Sequence, residues 1–193
     1  MEEELCRHGL VHETVGDAFD AEDSADWASN LRQSLFTSES FNTLHRYSLD
    51  VAKTPFPRYV VPALLAAVER PLLGHFGLSA GDLTLDSGFF ISYEEGSNQV
   101  LRRHVDKCLF TLNLFLEASE DLRGTEVRFH GLRRLRTNDS VEGGPETIDF
   151  GSFAPGTVLM HWGQHEHETL PWRGGVRSSV VLWFRHDGPA VRE

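Results

Sequence analysis

The sequence has few cysteines, no long apolar run and almost no positive charge near its start. Only two of its 193 residues are cysteines, Cys6 and Cys108, so neither a disulfide framework nor a cysteine-rich zinc site is expected. The longest apolar run, residues 59–68, has about half the length that a membrane-spanning helix needs. The acidic first residues contain no apolar stretch, so we expect no secretory signal peptide and a cytoplasmic location, with the nucleus left open.

The negative charge is concentrated at the beginning of the chain. The formal net charge is −11, and residues 1–30 hold nine acidic side chains against one arginine. This balance disfavours nonspecific binding to nucleic acid or to an anionic membrane, so neither is expected as a partner. We expect residues 1–22 to form a solvated, partly mobile terminus, and a tail that docks onto a partner is the alternative.

Helical signals are confined to the first eighty residues. Apolar residues at four-residue spacing indicate a helix within 24–52. Pro62 suits the first turn of a second helix that runs through 63–68, and Gly74 or Gly77 would end it.

After residue 81 the sequence changes to short β-branched and aromatic segments separated by turn residues. This pattern predicts a mainly β protein with N-terminal helices, in which a closed or double-layered antiparallel sheet is buttressed by those helices. We expect one domain over 1–193, with helical support in 23–80 and a β-barrel core in 81–186. The predicted strands are Leu83–Leu85, Gly88–Tyr93, Leu109–Leu116, Thr125–Phe129, Gly156–Met160 and Ser178–Phe184.

A His-x-Asp pair precedes the strand that begins at residue 109. In an extended chain His104 and Asp106 point to the same side, whereas Val105 would point away into packing. Such a pair alone is usually only a polar surface feature. A further histidine from the group His161, His165 and His167 would complete two imidazoles and one carboxylate, a set that suits non-haem Fe(II) and leaves positions open.

Arg177 stands at the start of an otherwise apolar strand. Burying a guanidinium is costly unless it meets an anion, and its planar fork can hold a carboxylate through two hydrogen bonds. Ser179 shares its face and can donate another hydrogen bond. The alternative is an arginine that extends to solvent or pairs with Glu166 or Glu168.

Taken together and in this order, these residues resemble the 2-oxoglutarate/Fe(II)-dependent oxygenases, specifically the prolyl/lysyl-hydroxylase-type branch. The resemblance covers roughly half the chain, from about residue 83 to 184. The matching stretches are Phe90–Tyr93 with Gly96, Arg103–Asp106, Phe110–Leu116, Gly124–Phe129, Ala154–Leu159, His167–Pro171 and Gly175–Arg177. The usual Gly-Gly-Glu is Gly-Thr-Glu here, which we expect to alter a turn rather than the chemistry.

The resemblance implies a double-stranded β-helix (jelly-roll) core with Fe(II) as cofactor and 2-oxoglutarate as co-substrate. It assigns the metal to His104, Asp106 and His167, and 2-oxoglutarate to Arg177, Tyr93, Ser179 and, more weakly, Asn113. His165 is the alternative distal ligand, and His161 is expected to be a structural neighbour. No side chain beyond the metal ligands is expected to act in catalysis.

The implied reaction consumes O₂, releases succinate and CO₂, and hydroxylates a prolyl or lysyl residue of a protein or peptide, or a related small amino-acid-like substrate. Seven arginines between residues 102 and 136 would suit an acidic substrate if they overhang the site, although ordinary solvated charge is the expected reading. Two other functions stay open. One is a cupin-type metal dioxygenase or isomerase that does not use 2-oxoglutarate, and the other is a non-catalytic barrel that serves as a binding module.

Overall fold

The computed structural model describes residues 6, 9–14, 26–31, 48–51, 54, 56–94, 101–142, 146–151 and 153–186. The described helices lie within the first 82 residues, where two short strands also occur, and antiparallel strands make up most of the chain after them. No helix in the described part is long and apolar enough to cross a membrane.

The described helices form one layer beside the sheets. Residues 26–31 are helical, as predicted for 24–52, but residues 48–50 of that range form a strand instead. Helix α1, Phe56–Val68, continues into a π-helical turn, Glu69–Leu73, and a last helical turn, Gly74–Phe76. Gly77 adopts the left-handed conformation at φ 74° and ends the helix, as one of the two predicted positions.

The predicted start of this helix was wrong. Helix α1 begins six residues before Pro62, and Pro57 occupies the first turn, where a missing backbone N–H costs nothing. Pro62 lies inside the helix on its exposed side, where solvent can take the carbonyl that loses its partner.

Thirteen strands account for most of the remaining structure. In chain order they are β1 Leu10–Thr14, β2 Ser48–Asp50, β3 Leu83–Glu94, β4 Phe110–Ala118, β5 Arg123–Gly124, β6 Val127–His130, β7 Leu132–Arg133, β8 Ser140–Val141, β9 Thr147–Phe150, β10 Thr157–Trp162, β11 His167–Thr169, β12 Trp172–Arg173 and β13 Val176–His186. Six of them form the main sheet in the order β1-β10-β4-β13-β3-β2, and β11-β6-β9 form a second sheet. Two short ribbons, β12-β5 and β7-β8, complete the described strands.

The main sheet is covered on both faces. One face packs against the helices through a core that includes Phe56, Leu64 and Phe76 from the helical layer with Phe90 and Phe110 from the sheet. The other face meets the second sheet through a smaller core formed by Leu10, Phe115, Val127, Phe129, Phe150 and Leu159. The predicted class, mainly β with helices that buttress the core, is therefore confirmed, and the sheets face each other without closing into a barrel in the described residues.

Strand β1 was not predicted, because it lies within the acidic segment expected to be a solvated terminus. It pairs with β10 along its whole length, with Leu10 opposite His161. Leu10 is 0% exposed and Val11 is 4% exposed, so neighbouring side chains are buried on opposite faces of the sheet. The apolar pair Leu10–Val11 is short and lies among acidic residues, so the composition of the segment did not indicate a strand.

Candidate functional site

Main-chain hydrogen bonds bring the two halves of the predicted metal site together. His104 and His167 form an isolated β-bridge, in which each backbone N–H donates to the other's carbonyl at 2.9 Å. Two residues further on, the Asp106 N–H donates to the Gly163 carbonyl at 2.8 Å. The loop before β4 is therefore fixed to the segment that leads into β11, although sixty residues separate them in sequence.

The side chains of His104, Asp106 and His167 converge on one point. Their potential ligand atoms all lie within 4.8 Å of one another. The two carboxylate oxygens of Asp106 face different imidazoles, at 3.6 Å from His104 Nε2 and 3.8 Å from His167 Nε2. Asp106 is 3% exposed and has no cationic side chain as an ion-pair partner within the described structure. This donor set, two imidazoles and a carboxylate, is suited to a divalent transition metal.

Neighbouring groups orient each of the three side chains. Nδ1 of His104 lies 2.6 Å from the Arg102 carbonyl, and Nδ1 of His167 lies 2.8 Å from the His165 carbonyl. Because a carbonyl only accepts, each Nδ1 carries a proton, so Nε2 is the nitrogen of each ring that can coordinate a metal. Thr111 Oγ1 donates to the Asp106 carboxylate at 2.5 Å. Such outer hydrogen bonds are what hold metal ligands in a fixed orientation.

Burial favours the neutral form of the distal imidazole. It lowers the pKa of His167, an effect that the nearby Asp106 carboxylate opposes. Cys108 lies close by, but burial raises the pKa of its thiol to about 12, so it carries no thiolate at neutral pH to serve as a further ligand.

The other two histidines take different places. His165 is buried, and its ring packs against Phe129 at 5.0 Å between centroids, outside the group that converges on Asp106. His161 is buried with its ring edge-on to His167 at 4.8 Å, and burial lowers the pKa of its imidazole well below the usual range. The geometry thus favours His167 over His165 as the distal ligand, with His161 as its packing neighbour.

Arg177 is buried at 2% exposure and pairs with no acidic residue in the described structure. Its guanidinium carbon lies 4.5 Å from the centre of the Tyr93 ring and 4.6 Å from that of Phe153. Nε and Nη1 are buried without a hydrogen-bond acceptor. Burial lowers the pKa of Arg177, yet a guanidinium stays charged at neutral pH. The site therefore contains a positive charge with donors that an anion would satisfy.

The alternative partners proposed for Arg177 are engaged elsewhere. Glu166 forms an ion pair with Arg103, and Glu168 accepts from or pairs with His130 at 3.0 Å. Arg177 does not extend to solvent, because it is buried against the rings of Tyr93, Phe115 and Phe153.

One cavity of about 870 Å³ joins all seven predicted site residues. Tyr93 stands opposite Arg177 in the β3–β13 ladder, and its hydroxyl lies 3.3 Å from Thr169 Oγ1. Ser179 lines the same wall as Arg177, as the alternation of β13 predicts, and Asn113 lines the floor from β4. The structure thus brings together every residue that the sequence nominated for metal and co-substrate.

Two features of the site differ from expectation or were missed, whereas most of the arginines expected to be solvated lie outside the cavity. Val105 does not turn into packing. It is 42% exposed and lines the cavity, because its loop runs along the cavity wall rather than within a sheet. Of the seven arginines considered for an acidic substrate, only Arg102 and Arg103 line the cavity. The contacts of Thr111 with Asp106 and of Phe153 with Arg177 were not predicted, since they join segments whose relative positions the sequence does not specify.

Comparisons with known proteins agree with this architecture. No family model matches the chain. Over 146 residues, 75% of this chain, it is 25% identical to the Xenopus tropicalis "2-oxoglutarate and iron-dependent oxygenase domain-containing protein 2", and it spans about 40% of that relative's length.

Three solved structures share the fold. A 2OG-Fe(II) oxygenase family oxidoreductase from Burkholderia pseudomallei superimposes with a TM-score of 0.69 at 20% identity, covering 99% of this chain and 91% of its own. A Pseudomonas putida prolyl-4-hydroxylase gives 0.59 at 20% identity, covering 96% and 97%. The epimerase SnoN, solved with Fe³⁺, alpha-ketoglutarate and nogalamycin RO, gives 0.66 at 17% identity, covering 100% and 84%.

By sequence and by fold, the chain is therefore similar to the 2-oxoglutarate- and Fe(II)-dependent oxygenases, which confirms the resemblance predicted from its motifs. The fold described above is the jelly-roll architecture of these neighbours.

Proposed function

We propose that the protein is a 2-oxoglutarate- and Fe(II)-dependent oxygenase that hydroxylates a prolyl or lysyl residue of a protein or peptide, or a related amino-acid-like substrate. The observation that carries the proposal is the shared cavity. It contains a His104–Asp106–His167 group with oriented Nε2 atoms and a buried Arg177 whose Nε and Nη1 lack an acceptor in the described structure. The whole chain, residues 1–193, would form a single domain of this type, in the cytoplasm as expected from its sequence.

The three converging residues fit Fe(II). Two neutral imidazoles and one carboxylate on one side of a metal leave its other positions open for ligands that come and go. The hydrogen bonds from both Nδ1 atoms to carbonyls keep the Nε2 lone pairs available, and Thr111 holds the carboxylate. A bound cation would also compensate the buried charge of Asp106, which has no other cationic partner in the described structure.

Arg177 fits the distal carboxylate of 2-oxoglutarate. Its unpartnered Nε and Nη1 match the fork-like pairing of guanidinium with carboxylate. The rings of Tyr93 and Phe153 restrict the guanidinium, and Ser179 and Asn113 supply polar groups on the same cavity surface. Strand β13 thus carries the binding group of the co-substrate, and the loop before β4 carries two metal ligands.

Iron and 2-oxoglutarate, when bound, would supply the oxidation, in which 2-oxoglutarate, O₂ and a substrate C–H bond become succinate, CO₂ and the hydroxylated substrate. The protein's own residues bind, orient and exclude water. Burial of Asp106, His167 and Arg177 keeps these groups from solvent. No further side chain in the cavity needs to move a proton.

The proposed substrate class is supported by one structural neighbour and by the sequence motifs. The prolyl-4-hydroxylase from Pseudomonas putida shares the fold over nearly the whole of both chains, and the sequence motifs resemble that branch. Other neighbours act on other molecules, as the name of the epimerase SnoN shows. Prolyl and lysyl peptides are therefore the first substrates to test, and free amino acids are the second.

The test is succinate formation by the full chain supplied with Fe(II), 2-oxoglutarate and O₂, in the presence of prolyl and lysyl peptides or free amino acids. We expect succinate only when both Fe(II) and 2-oxoglutarate are present, and more of it with the correct substrate. Asp106→Ala should abolish it, because one of three protein ligands is lost.

Asp149→Ala is the matched control. It removes an aspartate whose exposed pair with Arg128 lies outside the cavity and contributes little to stability, so turnover should persist. Undiminished succinate formation by Asp106→Ala would contradict the proposed metal site. Metal binding without any use of 2-oxoglutarate would favour a cupin-type dioxygenase or isomerase, and failure to bind metal would favour a binding module.

A further inference from the structure

We propose that the substrate carries an anionic group, a carboxylate or a phosphate, which binds Arg102 and Lys107 at the cavity wall while its apolar part rests on Val105 and Trp183. The inference rests on the proposed function and narrows the substrate class of that site. Four observations support it: the space beyond the co-substrate position, the charges on the loop, the apolar surface between them, and an indole N–H without an acceptor.

The cavity extends well past the residues assigned to metal and co-substrate. Inward-facing residues of β13 alternate from Arg177 through Ser179 and Val181 to Trp183, and all four line it. At about 3.3 Å per residue, this row is about 20 Å long. Arg177 lies at one end, so the opposite end, beside Trp183, lies beyond the group proposed to take 2-oxoglutarate. A volume of about 870 Å³ is in the upper range of small-molecule sites and has room for a second organic molecule.

Two cations on the cavity wall have no partner. Arg102 and Lys107 directly flank the His104–Asp106 segment, both are exposed, and both line the cavity. Within the described structure neither side chain forms an ion pair or a hydrogen bond, whereas their neighbour Arg103 is paired with Glu166. Although Asp50 and Asp106 also line the cavity, four basic residues outnumber these two acids there, in a chain of net charge −11. A local field of positive sign attracts anions.

An apolar surface lies next to these charges. Val105 stands between the two proposed ligands and is the one large hydrophobic residue that is exposed in the described part of the chain. The Trp183 ring lines the same cavity and packs edge-on against Phe89 at 5.1 Å between centroids. An exposed valine and an aromatic ring in one cavity lining indicate a surface that an apolar group covers when the substrate is bound.

The Trp183 side chain supplies a further donor. Its Nε1 is buried and has no hydrogen-bond acceptor within the described structure. Because an indole nitrogen can only donate, a ligand rich in acceptors satisfies it and a cationic ligand does not. Donors without acceptors thus occur at both ends of the row, at Arg177 and at Trp183, and the second one agrees with an anionic or acceptor-bearing substrate.

The test compares three probes of the same size that differ in charge: 3-phenylpropanoate, 3-phenylpropan-1-ol and 3-phenylpropylamine. Binding is measured by calorimetry on the full chain without O₂, with Fe(II) and saturating 2-oxoglutarate, so that Arg177 is already engaged. We expect the acid to bind about tenfold more tightly than the alcohol and the amine to bind most weakly. An acidic prolyl peptide and N-acetylproline, tested likewise, distinguish an anion supplied by a peptide from one on a small molecule.

Arg102→Gln combined with Lys107→Gln should remove the preference, lowering affinity for the acid about tenfold while the alcohol binds within about twofold of the unmodified protein. The control pair, Arg134→Gln with Arg173→Gln, removes the same charge from exposed positions outside the cavity and should change neither affinity. The inference would be overturned if the acid and the alcohol bind equally well, if the amine binds more tightly than the acid, or if no probe binds. It would also be overturned if the control pair lowers the affinity for the acid as much as the cavity pair does.

The same samples separate this inference from the proposed function. Before the probes are added, the visible absorption band that requires both Fe(II) and 2-oxoglutarate is recorded. An intact band with no preference for the acid overturns the anionic substrate alone. Absence of the band in the unmodified protein overturns the proposed function itself.

Discussion

At the scale of single residues, the site depends on which ring nitrogen of each histidine is available to coordinate a metal. The carbonyls of Arg102 and His165 each hold an Nδ1–H, so both metal-facing nitrogens are Nε2. His165 therefore contributes to the site through its backbone, whereas its ring packs on Phe129. The sequence left His165 and His167 as alternatives because both stand at odd positions of one short segment.

We predict that His167→Ala loses metal binding and that His165→Ala retains it. The first change removes a ligand, whereas the second empties a buried position and lowers the free energy of unfolding instead. Equilibrium dialysis with Fe(II) under anaerobic conditions measures the first effect, and urea unfolding measures the second. His75→Ala, at an exposed position, is the control and should change neither quantity. Loss of metal in His165→Ala but not in His167→Ala would reverse the assignment.

At the scale of elements, strand β1 links the N-terminal segment to the centre of the molecule. Leu10 lies between the sheets opposite His161, and His161 contacts the ring of His167. An acidic segment that was expected to be solvated therefore supports the strand behind the proposed distal ligand. Removing residues 1–22 should consequently weaken the proposed metal site, whereas removing a free tail would leave it unchanged.

We expect Leu10→Ala to lower the free energy of unfolding by about 2–5 kcal/mol, because it opens a cavity in the core between the two sheets. Glu13→Gln, at an exposed position of the same strand, should stay within about 0.5 kcal/mol. Urea denaturation of both variants measures the difference. A change below about 0.5 kcal/mol for Leu10→Ala would mean that β1 does not stabilise the sheet.

At the scale of the whole molecule, the features that could be predicted from the sequence are those that depend on residues close together in the chain. Alternating apolar strands, the His-x-Asp pair and a lone arginine in an apolar strand are each visible within a few residues, and they suffice for the fold class. Together with the family resemblance they nominate seven residues that line one cavity in the structure. What the sequence did not predict depends on contacts between distant segments. The pairing of β1 with β10, the hydrogen bond from Thr111 to Asp106 and the cover of Phe153 over Arg177 are of this kind.

The start of helix α1 also depends on contacts that the local sequence does not specify. Pro62 was assigned to a helix start because proline is favoured there, but Pro57 fills that role and Pro62 is tolerated on the exposed side. Local preference identified the helix, and burial of its apolar side against the main sheet decided where it begins.

The central claim is that one cavity binds Fe(II) through His104, Asp106 and His167 and 2-oxoglutarate through Arg177. The most direct test is an anaerobic titration of the metal-free protein with Fe(II) and then 2-oxoglutarate, followed by visible absorption. We predict a weak charge-transfer band that needs both additions. Arg177→Gln should retain Fe(II) and require far more 2-oxoglutarate, because the charge that pairs with the distal carboxylate is lost. Bound iron with no band at any 2-oxoglutarate concentration would contradict the claim.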